Sequence, residues 1–132
     1  MRSLIVGVIG LLVGAMCTLI LINALRQGTA YPNGLMAVMS AQMKSLDQSI
    51  KRKRCAATDL TPPLTTLRHL ANDLEPAFLP TQDDERFTAH SSELRAALDA
   101  ALSAPPADCA AAAVLVDRVN GGCQACHRDF KG

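Results

Sequence analysis

Two cysteines and a histidine stand close together near the carboxyl end of the chain, in the segment Cys123-Gln124-Ala125-Cys126-His127. Thiols three residues apart lie on one face of a helix. C-x-x-C-H is the sequence to which c-type haem is attached, because the two thiols add to the two vinyl groups of one porphyrin and the imidazole ligates the iron. The motif therefore predicts one covalent haem c, bonded to Cys123 and Cys126, with His127 as the proximal iron ligand.

Two glycines, Gly121 and Gly122, directly precede this motif. A glycine inside a helix costs about 1 kcal/mol relative to alanine, so their presence suggests that a flat macrocycle needs room here. We therefore include Gly122 among the predicted haem-contacting residues.

Two other kinds of site contain C-x-x-C. A zinc site needs four ligands, and the chain has no second C-x-x-C and no H-x-x-x-H to complete one. A dithiol redox pair normally opens a helix after a strand, whereas this motif lies at the end of a chain without a strand pattern. Haem attachment is therefore the preferred interpretation.

The chain has 132 residues, enough for one small domain. No charged residue occurs from Leu4 to Leu25, and a helix of about 22 residues spans roughly 33 Å, the thickness of a bilayer core. We expect residues 1–30 to be a membrane anchor. A cleaved signal peptide is the alternative, since Gly28-Thr29-Ala30 resembles a cleavage site.

The rest of the chain, residues 31–132, is expected to form the haem domain. Positive and negative side chains nearly balance, with 13 Lys and Arg against 12 Asp and Glu in the whole sequence, which gives no reason to expect nucleic acid binding. There is no Trp, one Tyr and three Phe. The core must therefore consist mainly of Leu, Val, Met and Ala.

Apolar residues of this domain recur at steps of three and four, which is the period of a helix. Helices are predicted at about 32–54, from Thr61 to near Glu75, from about Asp83 to Ala104, and from Asp108 to the end. Gly28, Pro32 and Gly34 are expected to interrupt the helix after the anchor. The predicted fold is all-α, an antiparallel four-helix bundle preceded by one transmembrane helix. The four stripes are Met36, Met39, Met43, Leu46 and Ile50; Leu60, Leu64, Leu67, Ala71, Leu74 and Phe78; Phe87, Ser91, Leu94, Leu98 and Ala101; and Ala112, Leu115, Val119, Gly122 and Cys126.

The terminal pattern C-x-x-C-H-x-x-F-K, which ends in Phe130 and Lys131, resembles cytochrome c′ and its low-spin, methionine-ligated relatives. The likeness extends over about residues 31–131. It implies a periplasmic four-helix bundle with haem on Cys123 and Cys126, ligated by His127. It also implies that Lys131 lies near the haem and that pairing through the first two helices is possible.

The resemblance places Met36 on the opposite face of the haem. In the family a methionine there usually ligates the iron of an electron carrier, whereas an aliphatic or aromatic residue leaves a five-coordinate iron that meets nitric oxide or carbon monoxide. From the residues alone, methionines on one stripe are more often core filler, and Met39 is the alternative ligand. His69 and His90 are expected to be surface histidines.

A disulfide between Cys55 and Cys109 follows if Met36 and His127 lie at one level across the haem. Cys55 is 19 residues after Met36, and Cys109 is 18 residues before His127, so both lie roughly 27 to 29 Å from that level at 1.5 Å per residue. The oxidising periplasm would allow the bond. Cys17, inside the apolar segment, has no candidate partner.

Together these features predict a monohaem electron carrier rather than an enzyme. It would be anchored in the bacterial cytoplasmic membrane through residues 4–25, with its haem domain in the periplasm, and would exchange electrons with a membrane oxidoreductase or a small soluble carrier. The alternatives are a gas-binding cytochrome c′ and a haem subunit of a larger respiratory complex. Signal cleavage would instead leave a soluble periplasmic protein.

Overall fold

A computed structural model describes the backbone of residues 2–78, 81 and 84–130, and the side chains of residues 7–22, 30–78, 81 and 84–130. These residues form five α-helices and no strand: α1 (Arg2–Lys51), α2 (Ala57–Leu70), α3 (Leu74–Ala77), α4 (Glu85–Ser103) and α5 (Cys109–Phe130). The predicted all-α class is therefore confirmed. The chain divides into two compact units, Met1–Asn33 and Gly34–Gly132.

The first unit is helical, and its described apolar side chains are exposed. Between Val8 and Ile22 the large apolar residues have exposed fractions of 46 to 73%. Thr18 Oγ1 donates a hydrogen bond to the carbonyl oxygen of Gly14, at 2.8 Å. Among the described residues, no helix combines the length and the apolar character that crossing a membrane requires.

The predicted interruption of α1 was wrong. The helix includes Pro32 and ends at Lys51, although Gly28, Pro32 and Gly34 were expected to break it. Proline lacks the backbone N–H but has a helical φ, so a helix can continue through it with one hydrogen bond fewer.

The second helix also begins and ends earlier than predicted. α2 begins at Ala57 and contains both Pro62 and Pro63 in its interior. It ends at Leu70, and three residues separate it from the short helix α3. The sequence predicted that the helix ends near Glu75, but it ends five residues earlier.

The last two helices begin close to where the sequence predicted. Asp84 precedes α4, and its Oδ1 accepts a hydrogen bond from the backbone N–H of Arg86 at 2.9 Å. Asp108 precedes α5, and its Oδ1 accepts from the N–H of Ala111 at 2.8 Å. Both bonds satisfy backbone donors that a helix start leaves without partners. Asp83, also expected at the start of α4, lies outside the described residues.

The core of the second unit lies along the predicted stripes. All five predicted residues of α4 are buried, and so are the first five residues of the second predicted stripe, Leu60, Leu64, Leu67, Ala71 and Leu74. α1 contributes Leu35, Met39 and Leu46, whereas Met36, Met43 and Ile50 are partly buried. Leu35 and Val116 belong to the core but not to the predicted stripes. The periodic pattern thus identified the buried face of each helix, but some residues at the border of that face were assigned wrongly.

α4 is the central helix of this unit by backbone approach. Among the described helices, α4 makes backbone contact with α5, α2 and α3, and α1 makes less with any helix. Gly122 of α5 faces Leu94 of α4, and Asp129 pairs with His90, so the two helices run antiparallel.

Candidate functional site

The C-x-x-C-H motif occupies the last two turns of α5. Cys123 and Cys126 are partly buried and pack against the core, whereas His127 is exposed. Within the described part of the chain His127 has no hydrogen bond or ion pair. Both thiols and the imidazole thus lie at the same end of α5. The thiols pack against the core, and the imidazole is exposed and has no partner in the described residues.

Burial raises the pKa of the Cys123 thiol. The pKa of Cys126 is also raised, first by burial and then by the neighbouring Cys123 sulfur and the Asp129 carboxylate. A dithiol redox pair depends on a thiolate of lowered pKa, so this environment is unsuited to that chemistry. It keeps both sulfurs protonated at neutral pH.

Met36 packs against the same core cluster as the two motif cysteines. It is half-buried, whereas Met39, the alternative ligand, is only 5% exposed. Lys131, the other residue that the resemblance placed near the haem, lies outside the described residues.

Gly122 lies against α4, which the sequence did not suggest. A Cβ at this position would lie 3.4 Å from Leu94 Cδ1 and 3.7 Å from Leu94 Cα, whereas a Cβ at Gly121 would meet nothing within 4 Å. A Cβ at Gly122 would therefore be in ordinary van der Waals contact with α4, one residue before the motif. Open space adjoins Gly121 instead.

His90 was expected at the surface, but its side chain is only 19% exposed. Its Nε2 lies 3.0 Å from Asp129 Oδ2, two residues after His127. The hydrogen bond from His90 lowers the pKa of Asp129, and the nearby positive charges of Arg86 and Arg128 add to the effect. Since an ionised carboxylate only accepts hydrogen bonds, the His90 Nε2 carries the hydrogen. His69, in contrast, is exposed as expected.

An aromatic cluster surrounds the same end of α5. The Phe130 ring lies edge-on to Phe87, with ring centroids 5.2 Å apart, and the Phe78 ring lies 5.9 Å beyond. Phe87 was predicted as core, and Phe130 belonged to the terminal pattern. No sequence pattern predicts that the two rings meet, because they are far apart in the chain.

A cavity of about 190 Å³ lies between α4 and α5, away from the motif. Its lining includes Ala97, Ala101, Ala111 and Arg118 but no residue of the C-x-x-C-H segment. In the described part of the chain, no three His, Cys, Asp or Glu side chains cluster as they would around a metal ion.

The disulfide that the length argument suggested is present in the structure. Cys55 and Cys109 are bonded, with their Cα atoms 5.2 Å apart, across 54 positions of sequence. The bond joins the segment after α1 to the first residue of α5. Cys17 is free and exposed.

No protein-family model, no curated protein and no solved structure matches this chain.

Proposed function

We propose that the chain is a monohaem c-type cytochrome of the cytochrome c′ class and that it carries electrons. The observation that carries the proposal is the placement of the motif: two partly buried thiols one helical turn apart at the end of α5, followed by an exposed imidazole without a partner in the described residues. These are the groups that thioether attachment and iron ligation require.

The residues around the motif fit a haem. Cys123, Cys126 and Met36 pack against one apolar cluster, which suits a porphyrin face. Among the described helices, α1, which carries Met36, makes less backbone contact with any other helix than α4 makes with α5, α2 or α3. This limited contact supports placing a flat group beside α1, within the four-helix bundle that we propose for residues 31–132.

Each residue of the proposed site has a separate task. Cys123 and Cys126 would hold the haem covalently, His127 would ligate the iron on one side and Met36 on the other, and the apolar cluster would exclude water. When bound, haem c supplies a one-electron iron couple, and a methionine ligand favours a high potential and closes the iron to other ligands. Gln124, His127 and Arg128 are exposed, so a redox partner could approach this end of α5.

The test is a visible spectrum of the chain produced in a host competent for cytochrome maturation. We expect a covalent haem and a reduced low-spin spectrum that carbon monoxide does not change. Met36→Ala should open the iron, giving a high-spin spectrum that shifts with carbon monoxide. The matched control is Met43→Ala, since Met43 is also partly buried on α1 and should have no effect.

The other outcomes identify the alternatives. A wild-type spectrum that shifts with carbon monoxide would favour a gas-binding protein. If Met39→Ala opens the iron and Met36→Ala does not, the distal ligand is Met39. A colourless protein with the mass of the bare chain would end the proposal.

We further propose that the first unit tethers the protein to the cytoplasmic membrane, with the haem domain in the periplasm. The support is the exposure of the apolar side chains from Val8 to Ile22, which water solvates poorly. Full-length protein should then sediment with membranes until detergent is added, and a chain without residues 1–30 should not. Recovery of the full-length chain in the aqueous fraction would contradict the tether.

A further inference from the structure

The final turn of α5, residues 127–130, is held by side chains from the beginning of α4. Phe130 contacts three of them: its ring centroid lies 5.2 Å from that of Phe87, 6.2 Å from that of His90 and 5.4 Å from the Arg86 guanidinium carbon. Edge-on aromatic contacts and a cation over a ring face are each attractive. The last turn is therefore fixed from one side by one neighbouring helix.

His90 adds a directional bond to these contacts. Its Nε2 donates to Asp129 Oδ2 at 3.0 Å, while its Nδ1 is shielded from solvent and has no hydrogen-bond partner in the described residues. The nearest carboxylate to Nδ1, that of Glu93, is 3.9 Å away. A shielded polar atom without a partner costs free energy, so the other contacts of the His90 ring must fix its orientation. Among them, Asp129 accepts the hydrogen bond.

These contacts matter because of where His127 lies. Helix ends fray, and His127 is exposed within the last turn, without a partner of its own in the described part of the chain. Its position therefore depends on the backbone of that turn. Asp129 and Phe130, two and three residues further on, are the residues that α4 holds.

We propose that Arg86, Phe87 and His90 form a clamp on the final turn of α5, and that His90 is a positioning residue which holds His127 in one orientation toward the iron. The role toward the iron rests on the proposed function, whereas the clamp itself does not. A hydrogen bond between a histidine and a carboxylate is stronger than one between neutral groups. Of the three clamp residues, His90 should therefore have the largest effect on the final turn when it is replaced.

The experiment compares full-length wild type with His90→Ala and His90→Gln. The first readout is amide hydrogen exchange of the C-terminal peptide that contains residues 127–130. The second is the electron paramagnetic resonance spectrum of the oxidised, haem-loaded chain. The control is His69→Ala, which removes an exposed histidine from α2 and should match wild type in both.

We expect His90→Ala to accelerate exchange of this peptide about tenfold, since one hydrogen bond to a charged group is lost. The single low-spin iron signal of wild type should broaden or split because His127 then adopts more than one orientation. His90→Gln keeps a donor for Asp129 and should restore both readouts. If His90→Ala does not fold, Asp129→Ala, at a side chain that is 41% exposed, breaks the same bond.

Unchanged exchange in His90→Ala would overturn the clamp. Faster exchange with an unchanged iron signal would overturn the positioning role, because the contact would then be structural only. A colourless chain would refute the proposed function together with the role toward the iron, and the exchange data would still decide whether the clamp exists.

Discussion

At the scale of single residues, the position of the two motif cysteines decides which chemistry they can perform. Cys123 and Cys126 lie in the last two turns of α5, where the negative end of the helix dipole disfavours a thiolate. Burial raises the pKa of both thiols as well. Redox-active pairs sit at helix N-termini for the opposite reason, so this position is unsuited to a dithiol redox pair.

Lys53 is a residue whose backbone conformation conflicts with its side chain. Its φ is 59°, the only positive φ at a non-glycine residue in the described chain. The N–H of Lys53 donates to the carbonyl of Ile50, and the N–H of Arg54 donates to that of Ser49. This is the Schellman arrangement at a helix end, in which glycine is the favoured residue at the left-handed position.

Lys53→Gly should therefore stabilise the protein by about 1 kcal/mol, because the steric cost of a Cβ in the left-handed region disappears. Thermal unfolding should show a rise in Tm of about 4 to 8 °C if the second unit melts as one domain. Lys44→Gly makes the same change at an exposed position inside α1 and should cost about 1 kcal/mol. A lower Tm for Lys53→Gly would contradict this account.

At the scale of elements, one arginine joins three helices. Arg95 of α4 donates from Nη1 to Glu75 Oε2 of α3 at 2.9 Å and to the carbonyl of Ala71 at 3.1 Å, while its Nη2 lies 2.9 Å from Glu75 Oε1. Ala71 is the C-cap residue directly after α2, so its carbonyl has no partner further along the helix. Arg95 thus supplies the missing donor and fixes α3 against α4.

This pair predicts a pH dependence of stability. Partial burial raises the pKa of Glu75, but the hydrogen bonds and charge of Arg95 lower it by more, so its pKa is below the usual 4.5 in the folded chain. A carboxyl with a lowered pKa stabilises the fold above about pH 4.5 and ceases to do so as the pH falls through its folded pKa. The contribution of Glu75 should therefore be complete at pH 7 and reduced at pH 3.

Glu75→Gln should lower the free energy of unfolding by about 1 to 2 kcal/mol at pH 7, since both side chains of the pair are 22% exposed. The difference from wild type should shrink at pH 3, as measured by urea unfolding at both values. Asp47→Asn breaks an exposed pair with Lys51 and should change stability by less than about 0.5 kcal/mol at pH 7. An equal effect of Glu75→Gln at pH 3 and pH 7 would show that the charge contributes nothing.

At the scale of the whole molecule, the disulfide constrains the chain most strongly. It closes a long stretch of sequence that contains α2, α3 and α4. For a separation of 54 residues, the loss of chain entropy in the unfolded state corresponds to about 4 kcal/mol. This is a large share of the stability of a small domain.

Replacing both residues, Cys55→Ser with Cys109→Ser, should lower the free energy of unfolding by about 2 to 4 kcal/mol. The measurement is urea unfolding, alongside wild type treated with a reducing agent, which should lose a similar amount. Cys17→Ser removes a free, exposed thiol and should leave the free energy of unfolding unchanged. Denatured haem-loaded wild type should expose one reactive thiol, that of Cys17, and three would mean that the bridge is absent.

The sequence alone determined the features that depend on near neighbours along the chain. Helical periods located the buried residues of α2 and α4, Asp84 and Asp108 marked two helix starts, and the motif placed two thiols and an imidazole on one helix end. Local chemistry misjudged the prolines, because a helix supported by tertiary packing can tolerate a missing backbone hydrogen bond.

Only the tertiary structure decided which distant residues meet. The polar neighbours of His90 in the sequence predict a surface histidine. In the structure, Asp129 and Phe130, some 40 positions away, lie against its ring. The glycine at position 122 suggests space for a cofactor, but Leu94 is the residue that faces it in the structure. The physical reason is the same for both: helical periodicity tells which face of a helix is buried, but the side chains opposite that face are set by the packing of one helix against another.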